Sequence, residues 1–356
     1  MPIDGPLTAV TDVTDVTDEA FMDRAMAAAA TVRLATSPRP WVGAVLVTAG
    51  GERFEGATDG QSGPHAEVVA LRAAGPARTH GATVVCTLEP CSHWGRTPPC
   101  ADALVEAGVR RVVVGTTDPD PKVAGTGIRR LREAGVEVTV GVRAAEVEAQ
   151  LAAYLHHRRT GRPYVVLKLA ATLDGRTAAP DRSSRWITGP AARADAHLLR
   201  AESDAVLVGA GTVRADDPAL TVRDLPPPWD ARPRKTDPLR VVLGRAAPGA
   251  RIHPCLERGG PLPALLDELG VSGCVQLLVE GGARVAAEFH RSGLVDRYVL
   301  YLAPALFGGD DAPGLFAGPG AATIGDLWRG RLVDLQRLGG GDVRLDLVPV
   351  GDSSMT

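Results

Sequence analysis

Apolar and polar positions along the chain follow two periods, and the switches between them predict the elements. From Asp18 onward, Phe21, Ala25, Ala28, Ala29 and Val32 recur at helical spacing, with Asp18 placed as the N-cap. Pro38-Arg39-Pro40 breaks the chain, and residues 41–47 form an apolar run of strand length. A second strand starts at Arg53. Pro64 opens a helix over 64–73, because a first-turn proline lacks only an N–H that a helix start does not need. Strands follow at 83–87, 111–115 and 136–140, with helices at 100–107 and 127–134. Residues 144–158 read as one further helix, ended by Thr160-Gly161-Arg162-Pro163.

The pattern then starts again. Residues 164–170 are an apolar strand, followed by a helix over 190–200 and a strand at 205–208. Residues 224–238 are rich in Pro, Asp and Arg and read as an exposed loop. Strands at 240–243 and 275–279, a helix at 283–292 and a strand at 297–302 complete the second unit. The Gly-rich C-terminal stretch carries only short strand-like runs. Strand–helix alternation in both halves predicts an α/β fold with helices on a largely parallel or mixed sheet. The expected division is a mobile tail over 1–17, which holds a Thr-Asp-Val repeat, then domains over 18–160 and 161–356.

Composition supports that division. A chain of 356 residues suits two domains at roughly 100–200 residues each. An apolar fraction of 45% and a charged fraction of 23% exclude disorder and collagen. A net charge of -3 argues against a nucleic-acid partner or a membrane surface. Five cysteines are odd in number and too sparse for a disulfide framework. The N-terminus lacks a signal-peptide pattern and no apolar run reaches membrane-span length, so the expected compartment is the cytoplasm. Only Lys122, Lys168 and Lys235 are lysine, and asparagine is absent. A site that needs lysine has three candidates, and one that needs asparagine has none.

The chemistry-bearing residues of the first half are His65 and Glu67, then Cys91 after Glu89-Pro90, then Cys100 after Pro98-Pro99. One imidazole and two thiolates are three ligands for a tetrahedral Zn²⁺, with the fourth position left for water, as a catalytic site requires. Zinc lowers the pKa of a bound water to about 7. Glu67 is not needed as a ligand and is suited to carry the proton from the attacking water to the leaving amine. This combination resembles the zinc-dependent deaminase superfamily, with its H-x-E and P-C signature. The long Cys91–Cys100 separation, and the run from Ala101 to Val109, resemble the pyrimidine deaminase of riboflavin synthesis in particular. The resemblance implies zinc on His65, Cys91 and Cys100, proton transfer at Glu67, and His93 in a loop that contacts substrate. It places asparagine where this chain has Arg39, and arginine only donates hydrogen bonds. Arg39 either enters the pocket to contact a phosphate or carbonyl, or turns outward and weakens or redirects the deaminase.

The second half offers two glycine-containing turns for phosphate, Gly209-Ala210-Gly211-Thr212 and Gly281-Gly282-Ala283. Neither is a full dinucleotide fingerprint, so a standard Rossmann site is disfavoured. Around them lie Lys168 to Arg176, Ser184-Arg185-Trp186-Ile187-Thr188, Ala192 to Asp195, Leu199-Arg200-Ala201 and Asp216 to Arg223. In this order they resemble the reductase domain fused to that same deaminase. The resemblance implies NADPH against Ala170, Trp186, Thr188, Thr212, Asp216 and the run Gly282, Ala283, Arg284, Val285, Ala286, Ala287 and Glu288. It implies substrate against Ser184, Arg200, Leu220, Arg223 and Glu280, with Lys168 orienting substrate or supplying charge near the sugar. Guanidinium groups suit a sugar phosphate.

The implied folds are a cytidine-deaminase-like three-layer αβα domain and a dihydrofolate-reductase-like α/β domain. The implied function is two successive steps of riboflavin synthesis on a small phosphoribosyl pyrimidine, with Zn²⁺ and NADPH as cofactors. The implied assembly is a homodimer or homotetramer. An alternative keeps only the reductase, with a zinc domain altered by Arg39. A nucleic-acid-editing deaminase would need a basic face and stacking aromatics, and aromatics are 4%. A non-enzymatic zinc-binding protein leaves the second-half motifs unexplained.

Overall fold

The computed structural model describes residues 17–94 and 98–350. Apart from Thr17, the tail expected over 1–17 lies outside the described residues. In the first half the order is α1 (Asp18–Ala30), β1 (Gly43–Val47), β2 (Arg53–Ala57), α2 (Ala66–Ala74), α3 (Pro76–Thr79) and β3 (Thr83–Leu88). It continues with α4 (Cys100–Glu106), β4 (Arg111–Thr116), α5 (Thr126–Glu133), β5 (Glu137–Val140), α6 (Ala144–Gln150) and α7 (Ala152–Thr160). The sheet order is β2-β1-β3-β4-β5, with β1 antiparallel to both neighbours and β3, β4 and β5 parallel.

Two glycines set the layers. A Cβ at Gly43 would lie 1.8 Å from the Ala25 carbonyl oxygen, and one at Gly56 would lie 2.2 Å from that of Ala66. Gly43 pairs with Ala57, so Gly43 and Gly56 point to opposite faces. Helices α1 and α2 therefore press on opposite sides of the hairpin, giving the three-layer sandwich.

Three local expectations are corrected. The N-cap of α1 is Thr17, whose hydroxyl accepts from Ala20 N at 3.3 Å; Asp18 sits inside the helix and pairs with Arg111 at 2.7 Å. Helix α2 starts at Ala66, because His65 is its extended N-cap residue, so Pro64 lies before the helix. The single helix expected over 144–158 is two, broken where Leu151 (φ -97°, ψ 11°) buries its side chain in the core.

The second half holds β6 (Tyr164–Thr172), α8 (Pro190–Glu202), β7 (Ala205–Gly209), α9 (Ala210–Asp216), β8 (Leu239–Leu243), β9 (Leu256–Arg258) and α10 (Leu262–Val271). Then come β10 (Gln276–Val279), α11 (Ala283–Arg291), β11 (Arg297–Ala303), β12 (Gly330–Arg337) and β13 (Val343–Pro349). The sheet order is β12-β13-β11-β6-β10-β7-β8-β9, parallel except for the antiparallel β12–β13 edge. Its central parallel strands, β6, β10 and β7, read as apolar runs because both faces are covered. Val165, Leu167, Leu277 and Val279 face α10 and α11, while Val166, Leu278, Val206 and Val208 face α8. Asp195 of α8 accepts from Tyr301 Oη at 2.6 Å and from Arg344 at 2.7 Å, tying β11 and β13 to the helix.

The segment 224–238, expected as an exposed loop, docks in part on the first half. Arg33 stacks 4.1 Å from the Trp229 ring centroid, and Lys235 N donates to Leu34 O at 2.8 Å. Leu34 joins Leu198, Ala201 and Val222 in a small shared core. Among the described residues, no helix is long and apolar enough to cross a membrane.

Candidate active sites

The first site forms where β2, β3 and two helix starts meet. His65 precedes α2, Cys91 follows β3, and Cys100 is the first residue of α4. His65 Nδ1 lies 3.1 Å from Cys100 Sγ and 3.5 Å from Cys91 Sγ, and all three ligand atoms lie within 4.8 Å of one another. Zinc bond lengths of about 2.0–2.3 Å put tetrahedral ligand atoms roughly 3.5 Å apart, so the donor set fits zinc. Cys91 is held at about 4, chiefly by the hydrogen bond from Cys100, with His65 and the Cys100 backbone N–H adding to it. A thiolate is the form that binds metal.

Glu67 is 3% exposed and sits one helix position past Ala66, beside the ligands. Burial pushes its carboxyl up from the usual value, which His65 partly offsets. The 220 Å³ cavity is lined by His65, Glu67, Cys91, His93 and Arg39, together with Asp118, Tyr154 and Arg158. Arg39 thus lines the cavity rather than leaving it. Its Nη1 donates to Gly63 O at 2.9 Å and Gly60 O at 3.3 Å, so it also braces the loop before His65.

Sequence reasoning missed Asp118 and Tyr154, whose hydroxyl donates to Asp118 Oδ2 at 3.0 Å. The available signal was position: Asp118-Pro119-Asp120 follows the C-terminal end of β4, where open α/β sheets build sites. Glu89 is structural. Its carboxylate accepts from the backbone N–H groups of Asp118, Gly125, Gly127 and Ile128 at 2.9–3.3 Å, which fixes the α5 start beside Cys91.

The second cavity, of 730 Å³, lies at the C-terminal ends of β6, β7 and β10. Of the expected residues, Lys168, Ser184, Trp186, Arg200, Thr212, Asp216, Leu220, Arg223 and Glu280 line it. Thr188 lies at its edge, its carbonyl accepting from Arg193 at 2.9 Å. Arg251 also lines the wall; nothing local in the sequence marked it. Leu220 holds φ +48°, a conformation that a branched side chain rarely adopts.

At the cavity floor, Arg200 forks onto Glu280, with Nη2 to Oε2 at 2.9 Å. Burial alone would push Glu280 up; Arg200, with Lys168 behind it, overcomes this and holds the carboxyl at about 2. Lys168 Nζ lies 3.8 Å from Glu280, and burial lowers its pKa. The Arg200 fork is thus engaged within the protein. Arg223, paired only loosely with Asp224 at 3.6 Å, is the more accessible guanidinium.

The two glycine turns converge. Thr212 Oγ1 would lie 3.6 Å from a Cβ at Gly282, so the starts of α9 and α11 adjoin. Cβ atoms at Gly209 and Gly281 would strike Val285 at 2.9 and 2.5 Å, so these two glycines serve packing. Gly211 faces open space, and neither helix has a side-chain cap, which leaves N–H groups suited to a cofactor phosphate. Within the expected run, Ala286 and Ala287 do not reach this cradle: both are buried in the core, because they fall on the sheet-facing side of α11. Arg284 and Glu288 share the exposed face. Val285 and Ala170 are partly buried and pack against the core clusters on either side of the sheet, Ala170 with the cluster that holds Tyr301.

These geometries define a two-centre enzyme, a zinc-type deaminase joined to a reductase. Two family models match: the cytidine and deoxycytidylate deaminase zinc-binding region over residues 15–116, and the RibD C-terminal domain over 163–343. A riboflavin biosynthesis protein RibD of Escherichia coli is 39% identical over 93% of this chain and 99% of its own. A RibD structure from Acinetobacter baumannii superposes with a TM-score of 0.84 at 38% identity, covering 94% of this chain and 99% of that one. A diaminohydroxyphosphoribosylaminopyrimidine deaminase/5-amino-6-(5-phosphoribosylamino)uracil reductase from Thermotoga maritima gives 0.81 at 31% identity, with 94% and 99% covered. The chain belongs to the RibD family of riboflavin biosynthesis proteins, bifunctional deaminase–reductases that use zinc and NADPH. The reductase-only alternative is not favoured.

Proposed function

We propose that the first cavity hydrolytically deaminates 2,5-diamino-6-(5-phosphoribosylamino)pyrimidin-4(3H)-one. The second then reduces the ribosyl side chain to give 5-amino-6-(5-phosphoribitylamino)uracil. The observation that carries this reading is the convergence of His65, Cys91 and Cys100 on one point with buried Glu67 beside it.

His65, Cys91 and Cys100 would hold the metal, which when bound would supply the Lewis acidity that makes water a nucleophile at neutral pH. Glu67 moves a proton from the attacking water to the leaving nitrogen, and burial suits its carboxyl to holding that proton between the two. Asp118 and His93 face the pyrimidine from the walls, and Arg39 closes the rim.

In the second cavity NADPH supplies the hydride. The α9 and α11 starts would hold a phosphate of that cofactor, and Thr212, Asp216, Trp186 and Thr188 would contact it. Ser184, Leu220 and Arg223 hold the phosphoribosyl group. Glu280 and Arg200 fix Lys168, whose Nζ presents positive charge to a sugar oxygen. The boundary between the two activities falls near residue 160, supported by the end of α7. One preparation tests the reading, with zinc counted and the half-reactions assayed separately. Ammonia release disappears on chelation and returns with zinc, while NADPH oxidation on the deaminated substrate survives. Ammonia release that persists without zinc overturns the mechanism.

We also place the protein in the cytoplasm as a homodimer or homotetramer without nucleic acid. Free cysteines and a net charge of -3 support the first and last points. Exposed Ile324, Leu332 and Leu335 on and before β12 support assembly. A light-scattering mass of a single chain would reject it.

A further inference from the structure

We propose that His253, Cys255 and Glu257 form a second site, for a thiophilic divalent cation of the zinc class, outside both reaction cavities. Their ligand atoms all lie within 4.8 Å of one another. The residues alternate along the chain into β9, the edge strand of the second sheet. Alternation puts Cys255 and Glu257 on one face, while Leu256 between them packs toward the core beneath α10. The preceding turn, in which His253 N donates to Ala250 O at 3.3 Å, folds the imidazole back over that face.

Two donors are already oriented by backbone. His253 Nε2 lies 2.9 Å from Ala247 O and donates its proton there. Nδ1 is then left with its lone pair, which faces Cys255 Sγ at 3.5 Å. That separation equals the His65–Cys91 spacing in the first site and suits two corners of a tetrahedron. Glu257 Oε1 accepts from Ala246 N at 2.9 Å, which leaves Oε2 for a cation. A ligand imidazole whose other nitrogen donates to a carbonyl is the usual outer-shell support of a bound metal.

Imidazole, thiolate and carboxylate together favour zinc over calcium or magnesium, which take oxygen donors. His253 is exposed, so the site is reached from solvent. Arg240 on β8 faces Asp237 at 3.8 Å, so its charge is partly neutralised. Three ligands at a sheet edge make a weaker site than the buried first one, so its ion is the first removed by a mild chelator.

The test counts zinc in the full-length protein after dialysis against buffered micromolar Zn²⁺. A second zinc per chain is expected, lost in Cys255→Ser and in His253→Ala with both half-reactions unchanged. Cobalt titration provides an independent readout. The second equivalent brings a thiolate charge-transfer band that Cys255→Ser removes. A single zinc per chain in the wild type overturns the proposal. So does retention of the second zinc, or of the second-equivalent band, in Cys255→Ser.

Discussion

The two cavities of this chain solve opposite problems. The first is small, 220 Å³, and concentrates its chemistry in four side chains within hydrogen-bond or ligand distance of one another. The second is 730 Å³ and takes its polar groups from a stretch running from Lys168 to Glu280. In the first, burial serves reactivity: a carboxyl kept from bulk water and thiols gathered for a metal. In the second, a buried ion pair at the floor is satisfied internally and serves placement. A reaction centre activates groups by leaving their demands for a ligand to meet. A binding cavity for two large ligands must first neutralise its own interior.

The sharpest way to break this comparison is Glu67→Gln. Ammonia release should fall about a thousandfold, within the range of a lost general acid–base. Zinc content and reductase turnover on the deaminated substrate should stay unchanged. A parallel loss of reductase activity would show that the sites are not separable.

Glu280→Ala should act the other way, through stability. It leaves Arg200 and Lys168 charged with no carboxylate beside them, a loss of about 3–5 kcal/mol. Melting temperature should drop and reductase activity should vanish, while Glu67→Gln leaves melting unchanged. The wild-type contribution has a defined pH window. The folded carboxyl sits at about 2, below an unfolded value of about 4.3. The stabilisation is therefore complete above that unfolded value and fades as pH falls toward about 2. Acid unfolding of Glu280→Gln should lack this component.

The same contrast explains what could be read from the chain. His65, Glu67, Cys91 and Cys100 carry ligand and proton chemistry in short motifs, so residue type and order suffice. Helical periods and apolar runs of strand length marked most elements, because the central strands of both sheets are buried on both faces. The misses are long-range. Arg200 and Glu280 both line the cavity, but their ion pair joins residues 80 positions apart and no local pattern signals it. Ala286 and Ala287 sit in the expected run but on the core side of α11. Arg251, and the seating of Trp229 beside Arg33, depend on loop placement that no periodicity encodes. Short β9 has too few residues to show a period.

Arg39→Asn sharpens the rim of the first cavity. Loss of the hydrogen bonds to Gly60 and Gly63 loosens the loop that leads into His65. A charged donor to a carbonyl contributes about 1.5–3 kcal/mol, part of which water restores at this half-buried position. The deaminase KM should rise about tenfold, with kcat and the reductase half-reaction little changed. An unaltered KM would mean that Arg39 neither contacts substrate nor shapes its entrance.

The smallest effect concerns Lys168 and appears only in a pH profile. Burial favours the neutral amine, so its proton leaves below the ordinary lysine value, and Glu280 limits but does not cancel that shift. The cost of holding the charged form is fully present below the folded pKa. It disappears as pH rises past the unfolded value of about 10.4. Reductase kcat/KM should therefore show an alkaline decline centred below that value, while ammonia release in the same buffers does not share it. Lys168→Arg keeps the charge at all accessible pH. It should remove the decline at the cost of a lower plateau, because a planar fork replaces a point charge 3.8 Å from Glu280. A decline that persists in Lys168→Arg would assign the limb to another group and leave Lys168 with a purely steric place in the floor.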